Sequence, residues 1–130
     1  MPPFRYYTNG MNWTSVAAIL LALAVMIGAF GAHGLRGKLD DYSMTIYERA
    51  VMYHFFHALG LLIVSTLPRQ TATAWVSWLL FAGIILFSGS LYVLAITGVR
   101  ALGAVTPFGG LCFIAAWVVL AVAALRQGKL

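Results

Sequence analysis

The sequence predicts an all-α membrane protein, an up-down-up-down bundle of four transmembrane helices. Three observations lead there. Of the 130 residues, 62% are hydrophobic and only 8% are charged. A soluble domain carries about 25% charged residues because it needs a polar skin, and eight basic plus three acidic side chains cannot supply one. The hydrophobic residues gather into four runs, each near the length of about 20 residues that crosses roughly 30 Å of hydrocarbon. The connections between runs are short, which forces antiparallel neighbours. The length allows one domain over residues 1–130. A soluble globule, a disordered tail and a basic nucleic-acid binder are excluded together, so no nucleic-acid partner is expected.

The first span runs from about Trp13 to Leu35, with Asn12 as its cap and Gly34 where a left-handed C-terminal residue belongs. It is too long for the apolar region of a signal peptide, and its basic lead is Arg5 alone. The second span runs from about Ala50 to Leu67. Thr45-Ile46-Tyr47-Glu48 has the spacing of a capping box, so this helix should start about a turn before it enters lipid, and Leu67-Pro68 should stop it. The third runs from about Ala74 to Thr97. The fourth runs from about Pro107 to Leu125, with Thr106 as cap and proline at the first helical position, where a missing N–H costs nothing. No span contains an internal proline. Helices are required because unpaired backbone groups in lipid cost several kcal/mol each, and the runs lack the alternation of barrel strands.

The net charge of +5 is scattered at the ends of these runs, as Arg5, Arg36, Lys38, Arg49, Arg69, Arg100, Arg126 and Lys129. That is the distribution of headgroup anchors, not of a nucleic-acid patch. Trp13, Trp75 and Trp78 form an aromatic belt on the side of the termini. Four spans place both termini on one side, and basic residues divide four against four between the two sides. All three acids, Asp40, Asp41 and Glu48, fall on the loop side. The termini are expected in the cytoplasm. Cys112, the one cysteine, can form no internal disulfide.

Depth arithmetic collects the polar residues in one leaflet. His33 is near the loop-side end of the first helix. His54 and His57 lie roughly 6 and 10 Å inside the loop-side entry of the second. Ser88, Ser90 and Tyr92 occupy the loop-side half of the third, while the terminal-side halves read as Leu, Ile, Ala, Val and Trp. Helical phase puts Arg49, His54, His57 and Gly60 on one face of the second helix and Glu48, Met52, Phe55, Leu59 and Leu62 on the other. Polar groups turn to the interior of a membrane bundle, so the first face should point inward. His57 is expected to hydrogen-bond a neighbouring helix, at Ser88, Ser90 or the backbone near Gly31. Small residues should let helices approach at Gly28, Gly31 and Gly34, at Gly60, at Gly89, and at Gly109 and Gly110.

Two chemical readings of the histidines compete with simple packing. His54-x2-His57 puts two imidazoles on one face, as a metal site would, but no buried carboxylate or thiolate completes the ligand set. Neither metal nor cofactor is therefore expected. A proton relay needs a connected path that Ser88, Ser90 and Tyr92 do not require, since buried hydroxyls commonly bond back to the preceding turn.

Four stretches also occur together: Gly28-Ala29-Phe30-Gly31-Ala32-His33-Gly34-Leu35, His57-Ala58-Leu59-Gly60-Leu61-Leu62, Leu86-Phe87-Ser88-Gly89-Ser90-Leu91-Tyr92 and Thr106-Pro107-Phe108-Gly109-Gly110. In that order they resemble the YgdD/YwdK-like family of small bacterial inner-membrane proteins, a domain of unknown function. The resemblance covers about residues 13 to 125. It implies a four-helix inner-membrane protein and no established reaction. His33 and His57 match its motif histidines. At the position of His54 that family often has glutamine, which favours hydrogen bonding there over a two-histidine metal site. The expected function is a non-enzymatic accessory or structural membrane component whose partners are membrane lipids and either further copies of itself or a larger membrane complex. The alternative is a site for a lipid, quinone or proton-coupled solute between helices in the loop-side leaflet.

Overall fold

Asn12 opens the first helix as expected: its side-chain oxygen accepts from the Ser15 amide at 3.1 Å. The computed structural model describes residues 10–127, and the anchors expected at Arg5 and Lys129 lie outside them. Within them the chain forms four helices and no strand. These are α1 (Trp13–Leu35), α2 (Asp41–Ser65), α3 (Thr71–Thr97) and α4 (Thr106–Arg126), with a 3₁₀ turn at Arg100–Ala104 leading into α4. α1, α3 and α4 are long and apolar enough to cross a membrane. α2 is not among them, because it carries Asp41, Glu48, Arg49 and two histidines.

Two helices contain a wide turn that the sequence pattern did not announce. The last turn of α1, Gly31–Leu35, and the middle of α3, Ile84–Gly89, are π-helical. Such a turn inserts one residue into the α repeat and rotates everything beyond it relative to what precedes. α1 ends through Arg36 in extended backbone, and the left-handed residue is Gly37, at φ +84°, rather than Gly34. Gly98 fills that role for α3, at φ +72°, and its amide donates to the Leu94 carbonyl at 2.8 Å.

The start of α2 also differs from expectation. Asp40 is the cap, accepting from the Ser43 amide at 2.7 Å. Thr45, the residue expected to cap, already lies inside the helix, and its hydroxyl bonds back to the Asp41 carbonyl. An aspartate cap also satisfies the helix dipole, so the helix forms a turn earlier. Hydrogen bonds from Ser43 hold the Asp40 carboxyl below its ordinary range. α3 begins at Thr71, where the Gln70 amide donates to the Thr73 hydroxyl. Thr106 does not cap α4 with its side chain, which is drawn away by a bond described below.

α2 and α3 are the central pair, with α1 packed on α2 and α4 on α3. One core joins Ala17 and Leu20 of α1, Ala58, Leu61 and Val64 of α2, Val76, Leu80 and Ile84 of α3, and Phe113 and Ala116 of α4. A second, nearer the loop end, joins Ile46, Tyr47 and Ala50 to Leu91 and Ala95. At the end carrying the termini, Trp13 meets Trp78 edge to face at 4.8 Å, and Gln127, the residue after α4, bonds Gln70. The outward face of α2 is Arg49, Met52, Phe56, Leu59 and Ile63. Arg49 thus points away from the interior it was expected to face, while Leu62 packs on the core it was expected to avoid.

Candidate functional site

His54 is the buried histidine of the loop-end cluster, 3% exposed. Its Nδ1 lies 2.9 Å from the Tyr92 hydroxyl of α3. Nε2 is buried and makes no hydrogen bond, although the Leu20 backbone of α1 is beside the ring. Next to this pair Tyr47 reaches across to α1 and donates to the Ile27 carbonyl at 2.5 Å. The Tyr47 and Tyr92 rings are 5.5 Å apart. Ser88, fully buried in the π turn of α3, donates to the Ala50 carbonyl of α2 at 2.8 Å. Ser90 binds Thr106 of α4 through their hydroxyls at 2.6 Å. These four interhelical hydrogen bonds tie α2 to α1, α2 to α3 (twice) and α3 to α4.

His57 departs from its expected role. Its Nδ1–H donates to the Tyr53 carbonyl of its own helix at 2.8 Å, not to another helix. The ring instead stacks on Phe113 of α4, with centroids 3.5 Å apart and planes 12° from parallel. His33 does not join the cluster either: it is exposed at the end of α1. The π turn carries it there by rotating the residues after Phe30. The structure therefore brings together His54, Ser88, Ser90 and Tyr92, adds Tyr47 and Thr106, and leaves His33 and His57 elsewhere. Tyr47 was missed because it reads only as part of the Thr45-Ile46-Tyr47-Glu48 capping box. The available signal was Gly31, one turn from the carbonyl it binds.

The glycines explain how closely the helices meet. A Cβ at Gly31 would collide with the Tyr47 ring, and one at Gly109 with the Phe87 backbone in the π turn of α3. A Cβ at Gly60 would come within 2.6 Å of the Trp117 ring, and one at Gly28 within 3.3 Å of Val51. Gly83, not anticipated, makes room for Phe113. The expectation fails at Gly34, whose near neighbour is Phe30 of the same helix, at Gly89, which faces open space, and at Gly110, which is in ordinary contact with Phe87.

The terminal end is more polar than its composition suggested. A cleft of about 940 Å³ opens there between α1, α2 and α3, lined by Asn12, Ser15, Arg69, Gln70, Thr73 and Ser77 among others. Thr14 donates to Ser65 across it at 3.0 Å, and Arg69 donates to the Met11 carbonyl at 3.2 Å.

A model of a protein family of unknown function, DUF423, matches residues 27–110, a segment holding both π turns and the loop-end cluster. The UPF0382 membrane protein YwdK of Bacillus subtilis is 47% identical over 115 residues, covering 85% of this chain and 94% of its own. A UPF0382 membrane protein of Staphylococcus epidermidis is 51% identical over 113 residues, and one of Staphylococcus haemolyticus 48%, each covering 85% of this chain and 93% of the relative. No solved structure matches. With a family model spanning most of the chain and near-half identity to full-length membrane proteins, the chain belongs to the DUF423 family of proteins of unknown function.

Proposed function

We propose that this protein is a four-span component of the bacterial cell membrane that acts by assembling with further copies of itself and carries no catalytic chemistry of its own. The observation behind the reading is the outer face of α1. Ser15, Ala18, Ala22, Val25, Ala29 and Ala32 are all exposed there and recur at helical spacing. α1 packs on α2 with its opposite side, and 22% of its apolar stretch is buried, against 39% for α3 and 17% for α4, whose exposed face is studded with large side chains such as Leu111, Ile114, Trp117 and Val118. A smooth small-residue face lets two helix backbones approach and gain dispersion contacts where no hydrophobic effect drives association. The polar cluster supports a structural role as well, since Ser88, Ser90, Tyr47 and His57 are committed to backbone or neighbouring groups.

The test is assembly state after gentle extraction. The parent should migrate as an oligomer on a blue-native gel, and the double variant Ala22→Leu/Ala29→Leu should shift it to monomer. A parent that is monomeric in every mild detergent, or an oligomer indifferent to both leucines, would overturn the reading.

A further inference from the structure

His57 commits only one of its two nitrogens. Its Nδ1–H donates to the Tyr53 carbonyl, and a carbonyl can only accept, so the neutral ring carries a lone pair at Nε2. That nitrogen makes no hydrogen bond among the described residues, nor do the Tyr53 hydroxyl and the Trp117 indole N–H. None of the three is sealed in the core, where His54 Nε2 is the unbonded side-chain atom among the described residues. The three groups share one groove. The His57 ring lies 5.9 Å from the Tyr53 ring on α2 and 5.9 Å from the Trp117 ring on α4. The bundle packs α1 on α2, α2 on α3 and α3 on α4, so α2 and α4 meet here through side chains, above Phe87 of α3. Tyr53, His57 and Phe113 have planes within 21° of one another. Trp117 is 37% exposed, so the groove opens outward. It stands about 17 Å from the start of α4 and about 14 Å from its end, far from the headgroup layer that indole favours. Polar atoms left unbonded at that depth cost free energy.

We propose that this groove binds the reduced, hydroxyl-bearing head of a membrane-soluble quinol that enters sideways from the bilayer. His57 Nε2 accepts from a quinol hydroxyl, while the Tyr53 hydroxyl and the Trp117 N–H supply donors to the quinol oxygens. The oxidised quinone carries acceptors alone. It would set a carbonyl oxygen against the Nε2 lone pair and leave that nitrogen unbonded. The near-parallel rings offer a flat head an offset stack, which a polyprenyl alcohol cannot use. Phospholipid headgroups stay at the membrane surface, out of reach of this depth. The groove is built from α2, α3 and α4, so it is independent of assembly through α1.

The full-length protein is purified in neutral detergent, and its thermal unfolding is followed without oxygen against increasing decylubiquinol, decylubiquinone or farnesol. Decylubiquinol should raise Tm by several degrees and saturate at a concentration at least tenfold below that of decylubiquinone. This comparison in the parent protein decides the proposal without any variant. His57→Phe keeps the stack on Phe113 and removes both nitrogens, so it should abolish the preference for the reduced form while its blue-native migration matches the parent's. Trp117→Phe keeps a ring and drops the N–H, so it should weaken both forms and retain the preference. Equal binding of decylubiquinol and decylubiquinone by the parent, binding of neither, or a preference that survives in His57→Phe overturns the proposal. If farnesol reproduces the full shift, any hydroxyl suffices and the quinol assignment falls.

Discussion

His54 and His57 sit three residues apart, yet they do different work, and the difference is 60° of helical phase. That angle turns His54 toward α1 and α3 and lays His57 against Phe113 of α4. The shared depth and the generally inward face were readable from the sequence. Which histidine makes the interhelical bond was not, because the answer depends on which helix neighbours which side of α2. The His54–Tyr92 pair gives a prediction at this scale. Removing one partner from a buried hydrogen bond strands the other, at a cost of about 1–3 kcal/mol, whereas removing both together is nearly neutral. Tyr92→Phe leaves an imidazole with neither nitrogen bonded, and His54→Leu leaves a stranded phenol. Each should lower thermal stability in one detergent, and the double variant should be no worse than the poorer single. Strictly additive losses would show that the two side chains are not coupled.

At the scale of the helix, element existence was legible and element phase was not. Four apolar runs predict four helices, and the capping residue of α1 is where its chemistry placed it. The start of α2 was misread because Asp40 and Thr45 both offer caps and the earlier one wins by extending the helix. The two π turns escaped because no residue type demands them; they arise where a neighbouring helix presses close. In α3 that neighbour is Gly109, whose missing side chain lets the Phe87 backbone approach. Gly109→Ala must push against backbone rather than a flexible side chain, and overpacking of this kind costs about 1–3 kcal/mol. Gly89→Ala, between Ser88 and Ser90 in the same π turn, meets nothing within 4 Å. It should be neutral or slightly stabilising, since alanine is the better helix former by up to about 1 kcal/mol. Thermal melts of the two variants in one detergent make the comparison, and a similar loss in both would mean that the close contact of α3 with α4 is not what the glycine serves.

For the whole molecule, the question is whether α2 crosses the membrane despite being the least apolar helix. The four-span reading proposed above requires that it does, and the contacts of α2 are what support that proposal. Near the loop end Tyr47 of α2 binds Ile27 of α1, and at the terminal end Ser65 of α2 meets Thr14 of α1. α2 therefore runs antiparallel along nearly the full length of α1, and its 25 residues reach about 37 Å at the usual helical rise. α3 starts beside the start of α1, as Trp13 on Trp78 requires. If the first and third helices cross from the same surface, as proposed, the chain returns through its second. The features that make α2 polar are compatible with this: Asp41, Glu48 and Arg49 are confined to its loop-end turns, and His54 is buried. Composition alone undervalues the helix because it averages interior and lipid-facing residues. Single cysteines at Lys38, Thr71, Ala101 and Gln127, placed in a Cys112→Ser background, test the arrangement by reaction with an impermeant maleimide in intact cells. Positions 38 and 101 should react from outside, and positions 71 and 127 only after permeabilisation, which also places both termini in the cytoplasm. The reverse pattern would keep four spans and invert the orientation. Equal reactivity of positions 38 and 71 would mean that α2 stays on one side, and the four-span reading would fall.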